Sequence, residues 1–166
     1  VRMVVAATAG GPADFVGRLA AVYLSELWRQ QIVVDNRGGS SGIFATETVA
    51  RANPDGYTLL LGSTSNFSIV PAVAQKLPFD FPRDLSTTGL LAIAPHVVVV
   101  REGIPAKTVK ELIALAKPNP NKYSFASAGT ATIVHMSGEL FRQQAGLELV
   151  HVPFKGGAQA AVGVLA

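Results

Sequence analysis

The chain has 166 residues, of which 49% are hydrophobic and 15% charged, and it carries no cysteine. With a mean hydropathy of +0.35, this composition excludes a disordered or charge-dominated chain. The missing thiols exclude a disulfide framework, a thiolate metal site and a cysteine nucleophile. The formal net charge is +3, but the bases (Arg2, Arg18, Arg29, Arg37, Arg51, Lys76, Arg83, Arg101) are scattered without a basic run or an aromatic-interleaved stripe, which speaks against nucleic acid as a partner.

A chain of this length buries roughly 70% of its unfolded surface and has room for one or two domains. Its longest apolar run, residues 90–100, is broken by Pro95 and His96 and falls short of the ~20 residues a membrane span requires. The opening Val1-Arg2-Met3-Val4-Val5 reads as a strand rather than as a signal peptide, and a mature secreted chain would begin the same way.

In chain order, β-branched runs alternate with segments of helical period. Strands are expected at residues 3–7, 32–35, 58–62, 90–94, 97–101, 123–127 and 149–152. Between the first two, residues 14–31 space Phe15, Leu19, Val22, Tyr23 and Leu27 as one face of an amphipathic helix. A second helix is expected over 42–52, stopped by Asn53-Pro54-Asp55-Gly56. A third covers 108–116, opened by Thr108 with Glu111 three residues on, a capping box. Residues 132–145 form a fourth, with Gly146 just past its end, and a last helix starts near Gly157 and runs to the end of the chain.

This alternation, with strands that lack polar alternation, argues an α/β fold of mostly parallel sheets covered on both faces. The runs 90–94 and 97–101 are joined only by Pro95-His96, too short for a crossover helix, so they cannot pair in parallel within one sheet. They read as a segment passing between lobes: lobe one over 1–94, a crossover at 95–96, lobe two over 97–166.

In such sheets ligands bind beyond the carboxyl ends of the strands. There the chain places Thr8-Ala9-Gly10-Gly11-Pro12-Ala13-Asp14, whose glycines permit close backbone approach and whose free amides begin a helix. The loops Ser63-Thr64-Ser65 and Ser127-Ala128-Gly129-Thr130-Ala131-Thr132 repeat the pattern with hydroxyls and amides and no acidic residue. The loop around Lys155-Gly156-Gly157 adds a cation. The candidate ligand-binding residues are therefore Thr8, Ala9, Gly10, Gly11, Asp14, Ser63, Thr64, Ser65, Ser127, Ala128, Gly129, Thr130 and Thr132, in a site suited to an anion.

No catalytic set assembles beside them. GxGxxG and GxxxxGK[ST] are absent, and Gly38-Gly39-Ser40-Ser41-Gly42 lacks both the spacing and the lysine. There is no HExxH, no GxSxG and no pair of acids at helical spacing, so neither a metal nor a cofactor is expected. A phosphate-handling hydrolase would lack a base. His135 within a helix and His151 within a strand read as core or groove histidines.

Several segments carry a resemblance. Ala9-Gly10-Gly11-Pro12-Ala13-Asp14, Val33-Val34-Asp35-Asn36-Arg37-Gly38-Gly39, Asn53-Pro54-Asp55-Gly56-Tyr57-Thr58-Leu59-Leu60-Leu61-Gly62, Lys76-Leu77-Pro78-Phe79-Asp80, Gly138-Glu139-Leu140-Phe141 and His151-Val152-Pro153-Phe154-Lys155-Gly156-Gly157 stand in order along the chain. Together they resemble the tripartite tricarboxylate transporter substrate-binding receptors, the Bug-type periplasmic receptors. The resemblance implies a type II periplasmic-binding-protein fold of two α/β lobes with a cleft between them. It further implies a periplasmic location and capture of a small carboxylate, without catalysis, for the membrane subunits of a transporter. The loops at 8–14 and 127–132 match the family's carboxylate-holding loops.

The chain departs from the family pattern at four positions. Ala6 and Ala7 replace a proline and an aromatic residue, removing a wall of the pocket, and Arg29 and Gln31 stand where glycine and proline end the first helix. Family members are also nearly twice as long, so the sequence reads as an N-terminal piece or truncated homologue. This opens an alternative expectation: an interaction module that binds no solute and forms a homodimer through uncovered lobe surfaces.

Overall fold

Met3-Val4-Val5 has no polar residue to turn toward water, and it becomes the middle of a sheet covered on both faces. In a computed structural model, which describes residues 1–165, β1 (Arg2–Val5) lies between β2 (Val33–Asn36) and β3 (Thr58–Leu61), all parallel. Ala166, the last residue of the expected second lobe, lies outside the described residues. Arg2 stands opposite Val33 and Thr58, and Val5 opposite Asn36 and Leu61, so the three strands end level and their loops leave from one edge.

The chain divides into two compact units, Val1–Pro95 and His96–Ala166. In the first, α1 (Pro12–Trp28) joins β1 to β2. A 3-10 turn (Ser40–Gly42) and α2 (Ile43–Ala50) join β2 to β3. A π-helical turn (Ser65–Ile69), α3 (Val70–Val73) and α4 (Phe81–Asp84) follow. In the second unit α5 (Val109–Ala116) precedes β4 (Ser124–Ser127), α6 (Ile133–Ala145), β5 (Val150–Pro153) and α7 (Gly157–Leu165). β4 and β5 pair in parallel, Phe125 opposite His151 and Ser127 opposite Pro153.

Helix ends follow from local chemistry. Thr108 caps α5, its hydroxyl accepting from Glu111 N–H, while the Glu111 carboxylate accepts from Lys107 N–H at 2.7 Å. Thr132 caps α6, and Gly146 closes it in the left-handed conformation. At the end of α1 that left-handed position falls to Arg29, φ 52° and ψ 35°, where a side chain is strained.

The core of the first unit joins Met3, Val5, Ala21 and Ile32, with Leu24 and Leu61 packed against it. Gly17 lets α1 lie directly on the sheet: a Cβ there would stand 3.0 Å from both Val5 and Leu61. The opposite face of α1 leaves Phe15, Leu19, Val22 and Tyr23 exposed.

The expected strands at 90–94 and 97–101 do not form. Both segments are irregular, and Ile93 is 85% exposed. Their apolar composition suits a half-buried pleated surface, but a strand exists only with a neighbour to bond, and none of the described strands pairs with them. The short helices α3 and α4 and the π-helical turn carry too few residues to show a period.

Two substitutions probe this packing. Gly17→Leu drives a side chain into Val5 and Leu61 and is expected to lower stability by about 1–3 kcal/mol. Arg29→Gly relieves the left-handed strain and is expected to raise it by about 0.5–1 kcal/mol. Urea unfolding midpoints measure both, and unchanged midpoints would contradict the packing and the strain respectively.

Candidate functional site

The strand order β2-β1-β3 sends the chain from β1 to one side and then back across to the other. The loops after β1 and β3 therefore flank the position where ligands settle in open parallel sheets. In the first, Gly10 takes φ +78° and Gly11 N–H donates to Thr8 O at 3.3 Å. Gly10 N–H donates to the Asp14 carboxylate at 2.8 Å, and Arg18 Nε stands 3.0 Å from the same carboxylate. Arg18 also donates to Asn36 Oδ1 at 3.2 Å, and the Asn36 amide donates to Ala7 O at 3.4 Å.

Asp14 is only 4% exposed. The Arg18 guanidinium first, and the Gly10 N–H second, hold its carboxyl below the ordinary range against the opposing effect of burial. Its charge is spent inside the loop, so Ala9 and Gly10 are exposed without a free negative charge beside them.

The loop after β3 is tied to the loop after β2 by Asn66. Its buried side chain accepts from Ser63 N–H and donates to Ser41 O, both at 2.8 Å. Gly42 makes this approach feasible, since a Cβ there would stand 2.0 Å from the Asn66 amide nitrogen. Ser63 and Thr64 are exposed and Ser65 is buried. Gly38 lies close to Thr8 in the same way, since a Cβ there would stand 2.5 Å from Thr8 Cγ2, so all three loops of this edge are in contact.

In the second unit the loop from β4 to α6 holds Ser127 fully buried, its Oγ 2.7 Å from His151 Nε2 and accepting from Gly129 N–H at 3.2 Å. The Thr132 hydroxyl donates to Gly129 O at 2.7 Å and accepts from His135 N–H at 3.3 Å. Ala131, at φ +59°, donates its N–H to His135 Nδ1 at 3.2 Å. Below the loop the rings of Phe125, His151 and His135 stack, with centroids 4.8 and 4.0 Å apart along the column. Gly138 gives the Phe125 ring its space. Burial first, and the neighbouring His135 second, push the His151 imidazole below its ordinary pKa. Thr130 is exposed at the loop tip, and Ala128 and Gly129 are half-buried.

The expected residues thus divide by role. Asp14, Ser65, Ser127 and Thr132 are buried, and Asp14, Ser127 and Thr132 are bonded within their own loops. Ala9, Gly10, Ser63, Thr64 and Thr130 are exposed, and Thr8 is half-buried. Sequence reasoning missed the supports: Arg18, Asn36, Asn66, and the joint action of His135 and His151. The Asp14–Arg18 spacing of four and the Thr132–His135 spacing of three were visible signals, whereas His151 reaches Ser127 only through strand pairing.

The Ser127–His151 contact has the reach of a nucleophile and its base. Yet Ser127 is fully buried, and among the described residues no carboxylate hydrogen-bonds His151. Also among the described residues, no group of three His, Asp or Glu side chains is placed to hold a metal ion, and no helix is long and apolar enough to cross a membrane. The arrangement can supply hydrogen-bond donors to an anion.

The acid side of the stability curve tests the first loop. A carboxyl held low when folded contributes stability that is full above its unfolded pKa, ~4, and lost as pH falls through the lower folded value. Asp14→Asn is therefore expected to be less stable than wild type by about 1–2 kcal/mol near neutral pH. In urea titrations that gap narrows below about pH 4; a gap unchanged far below that pH would refute the charge-assisted bonds.

Comparison with known proteins bears on this geometry. The family described as the tripartite tricarboxylate transporter family receptor matches residues 16–166. A UPF0065 protein of Bordetella pertussis is 36% identical over 159 residues, covering 96% of this chain and 49% of its own length. A solved R. palustris protein with adipate superposes at a TM-score of 0.96 with 32% identity, covering 99% of this chain and 55% of that one. The periplasmic binding protein BugD superposes at 0.85, also with 32% identity and the same coverage. The chain spans about half the length of these relatives. Its α/β units with parallel sheets are those of a periplasmic-binding-protein fold. Most of the chain is matched in this way, and it belongs to the tripartite tricarboxylate transporter receptor family.

Proposed function

We propose that this chain carries carboxylate-holding loops of a solute receptor, and that its ligand is a small dicarboxylate-type metabolite. The observation that carries the reading is the likeness, at a TM-score of 0.96, to a protein solved with adipate. The chemistry agrees with it. The loop after β4 brings the exposed Thr130 to the N-terminus of α6, a helix of thirteen residues whose dipole favours an anion. The loop after β1 offers the Thr8 hydroxyl and the exposed backbone of Ala9, with the Asp14 charge paired with Arg18.

On this reading the two units are partial lobes, and residues 95–96 the crossover between them. No residue acts as a catalyst, Ser127 and His151 serving the loop instead. Delivery to the membrane subunits of a tripartite transporter, in the periplasm, follows from the family. Self-association is not adopted, because the exposed stripe on α1 identifies no occupant.

Calorimetric titration with adipate and shorter dicarboxylates at about pH 8, where imidazoles are neutral, tests the reading. Binding in the micromolar range is expected, and a folded sample that binds none of them overturns it. Thr130→Ala is expected to weaken binding about 10- to 100-fold, the cost of one hydrogen bond to a charged group.

A further inference from the structure

Two histidines lie under the loop proposed to hold the carboxylate, and each bonds it at a different point. His151 Nε2 is 2.7 Å from the Ser127 hydroxyl, which in turn accepts from Gly129 N–H. His135 Nδ1 accepts from Ala131 N–H at 3.2 Å. The two contacts respond differently to protonation. An imidazolium is a donor at both nitrogens. At His151 Nε2 a proton still bonds Ser127 Oγ, whose own hydrogen turns to Gly129 O, 3.1 Å away. At His135 Nδ1 a proton leaves Ala131 N–H with no acceptor and two donors facing each other.

Ala131 is where the loop is strained. It has φ +59°, a conformation a residue with a side chain rarely adopts. Its N–H donates to His135 Nδ1, and the next residue, Thr132, caps α6. We propose that His135 is a positioning residue of the β4–α6 loop, assisted by His151, and that the loop keeps its anion-ready shape only while His135 Nδ1 is unprotonated. The proposal rests on the carboxylate-receptor reading for its consequence, but the positioning itself does not depend on any ligand.

The surroundings of the pair are sparse in charge. On α6, Glu139 Oε1 is 3.9 Å from His135 Nε2, and Arg142 holds Glu139 at 2.8 Å. This arrangement favours the proton on Nε2 and so leaves Nδ1 as the acceptor. On β4, Phe125 and Ser127 face the rings and carry no charge. From the loop before α5, His96 bonds Ser137 of α6 at 3.2 Å. With centroids only 4.0 Å apart, the two imidazoles repel each other if both are charged. Burial already holds His151 on the neutral side.

Three proteins test the proposal: wild type, His135→Asn, which keeps an acceptor near the Nδ1 position but cannot be protonated, and His135→Leu, which has none. Hydrogen exchange at Ala131 N–H is read first, without ligand. At about pH 8, protection is expected in wild type and His135→Asn and its loss, by tenfold or more, in His135→Leu; between about pH 8 and 5.5 protection falls in wild type relative to His135→Asn. Equal protection in all three proteins overturns the positioning role.

Adipate titration is read second. Wild type is expected to lose about tenfold more affinity than His135→Asn over the same interval. Adipate's own titration is common to both proteins and cancels in the ratio. Parallel affinity profiles overturn the link between His135 and binding. If adipate binds none of the three while Ala131 behaves as expected, the receptor reading fails and the positioning of the loop stands.

Discussion

Parallel strands that end level must reverse at one edge, and each reversal exposes backbone amides that have to be bonded inside or offered outside. In the first unit this constraint falls on three loops at once, because Val5, Asn36 and Leu61 stop side by side. The loops resolve it by lending one another side chains. Asn66 reaches from the third loop into the second, Asn36 from the second strand into the first loop, and Arg18 from α1 to both Asp14 and Asn36. Glycines at 38 and 42 are what allow the approach, since a Cβ at either would overlap Thr8 or Asn66. The edge is therefore cross-bonded from beneath, while Ala9, Gly10, Ser63 and Thr64 are left at its surface.

The two units meet the same need with different chemistry. In the first, a carboxylate accepts the loop amide and an arginine four residues along the helix cancels its charge. In the second, uncharged hydroxyls and imidazoles accept the loop amides, and the nearest carboxylate, Glu139, is occupied by Arg142. Both solutions keep uncompensated negative charge away from amides that would serve an anion. An acid left bare at either loop would repel a carboxylate ligand through a partly dehydrated path, where charge is weakly screened.

What the sequence disclosed and what it concealed follow the range of each interaction. Helices α1, α2, α5 and α6 were legible because their periods and caps lie within a few residues: Thr108 with Glu111, Thr132 with His135, Gly146 at a helix end. The five strands that form were legible as short, mostly apolar runs, shifted by a residue or two at their ends. Residues 90–94 and 97–101 had the same composition and formed nothing, because a strand is a property of two segments and composition describes one. The site divided in the same way. The loops themselves were visible as glycines and hydroxyls at strand ends, whereas their supports from a distance were not. Asn66 to Ser41 spans 25 residues and Ser127 to His151 spans 24, and nothing local marks either pair.

The two alanines after β1 bear on what such a site discriminates. Where a ring was expected to form a pocket wall, Ala7 packs against the Met3–Val5 core and Ala6 lies close to Gly42. Backbone amides and hydroxyls recognise a carboxylate group and are indifferent to the chain that bears it. Selection among carboxylates of different length has to come from apolar surface that fits one chain and leaves gaps around another, with about 0.8 kcal/mol available for each buried methylene. Small residues at 6 and 7 offer little of that surface. On the receptor reading proposed above, loops of this kind would select the carboxylate group more firmly than the molecule that carries it.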